Sequence, residues 1–144
     1  MKAKPVIPKA LAKQDVEETI SYYLSIEAEQ AALRFINALE QAYTHIGRHP
    51  ATGSSRYAHE LDLPGLRSWA LKRYPYIVFY VERDGHIDVW RVLHGLLEER
   101  EERKQLELDA LRAEIAAGRA SGPVKAADAV FDRLEAKYAA QVER

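Results

Sequence analysis

The side chains with chemistry to offer in this sequence are five histidines and a run of basic and aromatic residues. His45 and His49 stand one helical turn apart, the spacing at which one helix face holds zinc, with His59 a distant third ligand. Gly47 and Pro50 interrupt the helix that would present both rings, and no thiolate or carboxylate motif completes the set, so no metal site is expected. A second constellation comprises Arg67, Lys72, Arg73, Tyr74, Arg91 and His94. Gathered on one side of a sheet, these residues suit metal-free RNA cleavage, which needs a base for the 2′-hydroxyl, an acid for the leaving oxygen and cations for the developing phosphate charge. The plainer reading makes Lys72 and Arg73 a solvated strand end, with His94 and Gly95 shaping the chain's exit from the sheet. It is favoured because no acidic residue is placed to poise the histidine. The sequence has no cysteine, G-x-S-x-G, Gly-rich phosphate loop or usefully spaced carboxylate pair, so nucleophilic catalysis has no visible candidate and no cofactor is expected.

The elements that must position these residues follow from periodicity. PVIPKAL, flanked by Pro5 and Pro8, suits an edge strand. From Asp15 the apolar residues Val16, Ile20, Tyr23 and Leu24 fall at helical intervals, and Ala32, Phe35, Ile36, Leu39, Tyr43 and Ile46 repeat the pattern. The join near Ser25 to Glu27 allows only a tight antiparallel turn, and Gly47 with Pro50 supplies the stop. Residues 51–65 are rich in turn formers and read as an irregular connection. Three antiparallel strands follow in RSWALKR, YPYIVFYVER and HIDVWRVLH, the last two joined through Asp84-Gly85, the two-residue signal of a type I′ hairpin.

Pairing across that turn sets Ile77, Phe79 and Val81 beside Val92, Trp90 and Asp88, and Tyr76, Val78 and Tyr80 beside Leu93, Arg91 and Val89 on the opposite face. Both faces are largely apolar. One buries the helical hairpin, and the other needs a cover or a docked partner. After Gly95 the composition turns to LLEEREERKQLELDALRAEIAAG, a charged helical run whose apolar stripe, Leu108, Leu111 and Ile115, is too narrow for a self-sufficient domain. Gly118 and the break at Ser121, Gly122 and Pro123 end it, and Val130, Phe131, Leu134 and Tyr138 mark a shorter helix, so the tail reads helix, kink, helix.

With 144 residues the chain suits one domain or a small domain with an appendage, which excludes a large two-domain enzyme. A net charge of -1, 47% hydrophobic and 30% charged residues exclude a disordered tail and a strongly cationic nucleic-acid coat. The basic start lacks the apolar run of a signal peptide, and no stretch approaches the roughly 20 apolar residues of a membrane span, so a cytoplasmic protein with no membrane partner is the default expectation.

The strings RSWALKRYPYIVFYVERDGHIDVWRVLHG and HPATGSSR, in the order strand, helical hairpin, three strands, resemble the ParE toxin family of the RelE/ParE superfamily over about residues 4 to 95. The resemblance implies an α+β toxin that inhibits DNA gyrase, stabilising its cleaved-DNA state, and is not an enzyme; the RelE branch, by contrast, cuts mRNA. The chain departs from the pattern after RVLHG, where ParE-like chains continue with a short arginine-rich end and Leu96-Leu97 here run into EEREERKQ. LDALRAEIAAGRASGP followed by DAVFDRLEAKYAA resembles instead the C-terminal half of a ParD antitoxin, over about residues 98 to 140. The ribbon-helix-helix part of that family is missing, so direct DNA binding is not implied. The expectation is a toxin domain, 1–96, carrying its own neutralising segment, 97–144. Arg67, Lys72, Arg73, Tyr74, Arg91 and His94 form the candidate toxin surface, and Leu108, Leu111, Ile115, Val130, Phe131, Leu134 and Tyr138 the tail contacts. Docking in cis and exchange between two chains in a homodimer both remain open, as do an mRNA endonuclease and an inactive interaction module.

Overall fold

Two apolar stripes in the first third of the chain need one surface to bury them, and in the computed structural model that surface is a four-stranded sheet. The structure describes residues 3–94 and 101–122. Strand β1 (Val6–Pro8) leads into helices α1 (Ala10–Ser25) and α2 (Glu29–Arg48), a 3-10 turn (Pro50–Thr52) and a short helix α3 (Arg56–Glu60). Strands β2 (Leu66–Ala70), β3 (Tyr76–Glu82) and β4 (Ile87–His94) follow, and then helix α4 (Glu101–Ala120). The order in the sheet is β1-β4-β3-β2, with β1 parallel to β4 and the other pairs antiparallel. The fold is α+β, as expected, with β1 on the edge where its prolines require no ladder donor. Among the described residues no helix is long and apolar enough to cross a membrane.

Several local expectations are corrected. Helix α1 starts at Ala10, so Asp15 lies inside it as a buried residue. The join between α1 and α2 closes with the Ala28 N–H on the Tyr23 carbonyl and Glu27 in the left-handed region, φ 58°. Helix α2 runs through Gly47 to Arg48 and does not stop at the glycine. Residues 51–65 are not wholly irregular, since they hold part of the 3-10 turn and all of α3. The Tyr80 hydroxyl ties this connection to the sheet: it accepts the Gly53 N–H at 3.1 Å and donates to the Pro50 carbonyl at 2.7 Å. A Cβ at Gly53 would collide with that hydroxyl.

The β3–β4 hairpin turns at Asp84-Gly85, with the Arg83 N–H donating to the His86 carbonyl at 2.8 Å. Type I′ requires positive φ at both central residues, and among the described residues only Glu27, Asp62, Arg73 and Gly65 have it, so the turn is not of that type. The pairing follows the expected register only from Glu82↔Ile87 to Tyr80↔Val89. A bulge then leaves Trp90 without an opposite residue, and Phe79 pairs with Arg91, Val78 with Val92 and Ile77 with Leu93. One inserted residue reverses side-chain parity. Val92 therefore joins Val89 against the helices, and Leu93 joins Trp90 on the other face, the reverse of the expected assignment.

The two faces carry two cores. Toward α1 and α2, Val16, Ile20, Phe35, Ile36, Leu39 and Ile46 pack on Val78, Tyr80, Ile87, Val89 and Val92. On the opposite face Phe79, Val81, Trp90 and Leu66 meet Tyr57 and Leu61, and Leu111 and Ile115 of α4 close over them.

Candidate functional site

A wide apolar sheet face is stable in water only when something covers it, and α4 is the cover here. Leu111 and Ile115 are buried on it and Leu108 is half-buried. Val130, Phe131, Leu134 and Tyr138 lie outside the described residues. Helix α4 does not end at Gly118 but runs through it. A Cβ there would strike the Trp90 carbonyl and the Arg91 side chain, so the glycine is what lets α4 lie flush on the bulge. Arg112 donates to the Leu61 carbonyl at 2.9 Å, and the Arg119 guanidinium lies 5.5 Å from the centre of the Trp90 ring. Trp90 Nε1 is buried and has no hydrogen-bond partner among the described residues.

The end of α4 also completes α1. The N-cap residue Lys9 offers no side-chain cap, which leaves the first N–H groups of α1 to other acceptors. Ala10 N–H donates to the Gly122 carbonyl at 2.8 Å and Leu11 N–H to Ser121 Oγ at 3.2 Å. Ser121 Oγ in turn donates to the Gly118 carbonyl at 2.6 Å. The break that reads as a helix stop in sequence is thus a cap supplied from a distant part of the chain.

Arg91 sits where α1, β4 and α4 meet. Its Nε and Nη2 each lie 2.7 Å from a carboxylate oxygen of Asp15, and its Nη1 lies 2.6 Å from the Glu114 carbonyl. Asp15 also accepts the Val92 N–H at 3.1 Å. The hydrogen bonds that the guanidinium donates to Asp15 hold it more firmly in its charged form. Sequence reading missed Asp15 as a partner, because a carboxylate in the first turns of an amphipathic helix looks like one more solvated charge.

The other candidates lie elsewhere. Arg67, on β2, donates to the Gly53 carbonyl at 2.8 Å. His94, the last residue of β4, sets its ring edge-on to Tyr76, centroids 5.2 Å apart. Lys72, Arg73 and Tyr74 belong to the β2–β3 loop and face Arg34, Asn37, Ala38 and Gln41 of α2 across a cavity of about 620 Å³. Burial raises the Tyr74 hydroxyl pKa, partly offset by the charges of Arg34 and Arg73. The six do not converge on one site. His45 and His49 remain neighbours, centroids 5.3 Å apart, but His45 stacks on Trp69 and its Nε2 is 2.9 Å from the Thr52 hydroxyl.

Residues 6–96 match the family model described as the ParE toxin of the type II toxin-antitoxin system, parDE. The chain belongs to the ParE toxin family. Among solved structures, one titled the chromosomal ParDE TA system from P. aeruginosa is similar, with a TM-score of 0.54 and 16% identity over 64% of this chain and 96% of that one. At that identity the likeness is one of fold. No curated protein matches the chain. The ParE segment thus contains the whole sheet and both of its faces, and α4, which covers the outer face, begins beyond it.

Proposed function

We propose that residues 1–96 are a ParE toxin domain that inhibits DNA gyrase, and that residues 97–144 are a ParD-like segment that neutralises it within the same polypeptide. The observation that carries this reading is the burial of Leu111 and Ile115 on an apolar face of the ParE segment by a helix beyond the family match. The LDALRAEIAAGRASGP string supports it, since the positions that resemble ParD are those that bury, make close approach or cap. A tether strengthens the cover without new contacts. An effective concentration on the order of 1 mM against a segment affinity of about 1 μM leaves roughly 0.1% of the face free. The mRNA-endonuclease reading, which uses Arg91, His94, Arg73 and Tyr74 together, is not favoured by the geometry, because Arg91 is bound to Asp15 and the Glu114 carbonyl while Arg73 and Tyr74 lie in the β2–β3 loop.

The test is the full chain with Leu111→Asp and Ile115→Asp, expressed in cells and assayed on purified gyrase. Growth arrest and loss of supercoiling, both absent with the parent protein, are the expected result. A doubly substituted protein that keeps its far-UV circular dichroism yet neither arrests growth nor touches supercoiling overturns the reading. New RNA ends in the arrested cells would transfer the activity to the endonuclease class.

A further inference from the structure

The β2–β3 loop and the outer side of α2 form a basic trough that the covered face does not explain. Its first part, about 620 Å³, is lined by Arg34, Asn37, Gln41, Lys72, Arg73 and Tyr74. A second part of about 430 Å³ shares Ala38, Gln41 and Lys72 with the first and extends to His45 and Trp69. No carboxylate lines either part. Among the described residues no ion pair involves Arg34, Lys72 or Arg73, and all three are exposed.

Arg73 is held in an unusual way. The Leu71 N–H bonds to the Tyr76 carbonyl at 3.0 Å, closing the loop, and Arg73 within it has φ 69°. Glycine or asparagine takes that conformation at lower cost, so the loop keeps a cation where another residue would be more stable. Pro75 confines Tyr74 beside it, and Tyr74 is braced edge-on against Phe35 and Tyr23, with centroids 5.9 and 6.2 Å away.

We propose that this trough binds single-stranded nucleic acid, with phosphates on Arg34, Lys72 and Arg73 and bases against Tyr74, the Trp69–His45 stack and the amides of Asn37 and Gln41. Cations without acidic partners supply the attraction for a backbone, aromatic rings at both ends supply stacking surfaces, and the two amides between them match the donors and acceptors of base edges. An acidic peptide would use the cations but leave the rings and amides idle. A duplex is read by an element that protrudes into its groove, and here the protein surface is itself the concave partner. The net charge of -1 does not oppose this, because local potential and not the sum steers a ligand. The trough lies on the α2 side of the sheet and α4 covers the other, and although Lys72, Arg73 and Tyr74 also belong to the candidate toxin surface, the binding test below uses no gyrase and reads nucleic-acid binding alone.

The experiment is fluorescence anisotropy of a labelled oligothymidylate of about 12 nucleotides, titrated with the full chain over a range of salt concentrations. Three phosphate contacts give a log–log salt slope of about -2, and Arg34→Gln, Lys72→Gln and Arg73→Gln should each reduce it by about 0.7. Arg56→Gln, on α3, should leave it unchanged. Arg73→Gly separates binding from folding: the melting temperature should hold or rise while affinity falls several-fold. Absence of binding at about 50 mM salt, a folded triple variant that binds like the parent, or displacement by polyglutamate at equal charge concentration would each overturn the proposal.

Discussion

Arg91 grips Asp15 with two guanidinium nitrogens, each 2.7 Å from a carboxylate oxygen, and reaches the Glu114 carbonyl with a third. The pair joins the sheet to α1 on one side and the same side chain anchors α4 on the other. A cation that looks like part of a ligand-binding surface in sequence is the joint between the toxin segment and its cover. Buried charge of this kind is costly unless every partner is present, so the joint favours the state in which α4 is seated.

Removing the carboxylate should therefore do more than delete one ion pair. Asp15→Ala leaves a largely buried guanidinium and the Val92 N–H without their acceptor, and a loss of about 3 kcal/mol in urea-induced unfolding is expected. Asp15→Ala with Arg91→Met, which removes both charges, should recover part of it. A single variant within about 0.5 kcal/mol of the parent would show that the pair is solvated in solution.

Ser121 offers a test that no contact within α1 confounds. Ser121→Ala deletes the acceptor of the Leu11 N–H and the donor to the Gly118 carbonyl, and a cap of this type is worth about 1 kcal/mol. Amide exchange at Leu11 should accelerate in the variant although the substitution lies at the far end of the described chain. Unchanged exchange there would mean that the tail does not cap α1.

Gly118→Ala distinguishes two physical accounts by sign. Alanine in a helix interior is worth about 1 kcal/mol over glycine, so a helix that merely floats beside the sheet should gain stability. Close approach to Trp90 predicts the reverse, because the new Cβ lifts α4 off the bulge. Amides from Leu108 to Ala120 should lose protection from exchange while those of β3 keep theirs, and added protection would refute the flush seating.

Much of this arrangement was legible in the residues themselves. The succession of strands and helices along the chain, the helical hairpin and the apolar stripe that carries Leu111 and Ile115 all follow from patterns with a period, which local sequence records directly. The bulge at Trp90 has no such record: an inserted residue changes parity only relative to a partner strand, and VFYVE facing DVWRV pairs plausibly in either register. Asp15, Ser121 and Gly118 were hidden for a related reason. Each acts on a group far along the chain, and its type alone suggests a solvated charge, a helix stop or a turn. The basic trough was half visible, since Lys72, Arg73 and Tyr74 stood out in the loop, whereas Arg34, Asn37 and Gln41 looked like the wet side of an amphipathic helix.

Two buried tyrosines set the behaviour of the fold in alkali. Burial, reinforced by the negative charge of Asp15, raises the Tyr43 hydroxyl well above its ordinary pKa of 10.0. Burial also raises Tyr80, against the lowering effects of the Gly53 N–H and Arg67. In the unfolded chain both ionise near pH 10, so above that pH the unfolded state binds fewer protons than the folded one and stability must fall as pH rises. The unfolding free energy should be insensitive to these groups at neutral pH and then decline, by up to about 1.4 kcal/mol per pH unit for each tyrosine that stays protonated in the fold. Tyr43→Phe should make the decline shallower by one such proton and remove one late step from the phenolate absorbance titration. A parent protein whose eight tyrosines all titrate together near pH 10 while it remains folded would show that neither hydroxyl is shielded from water.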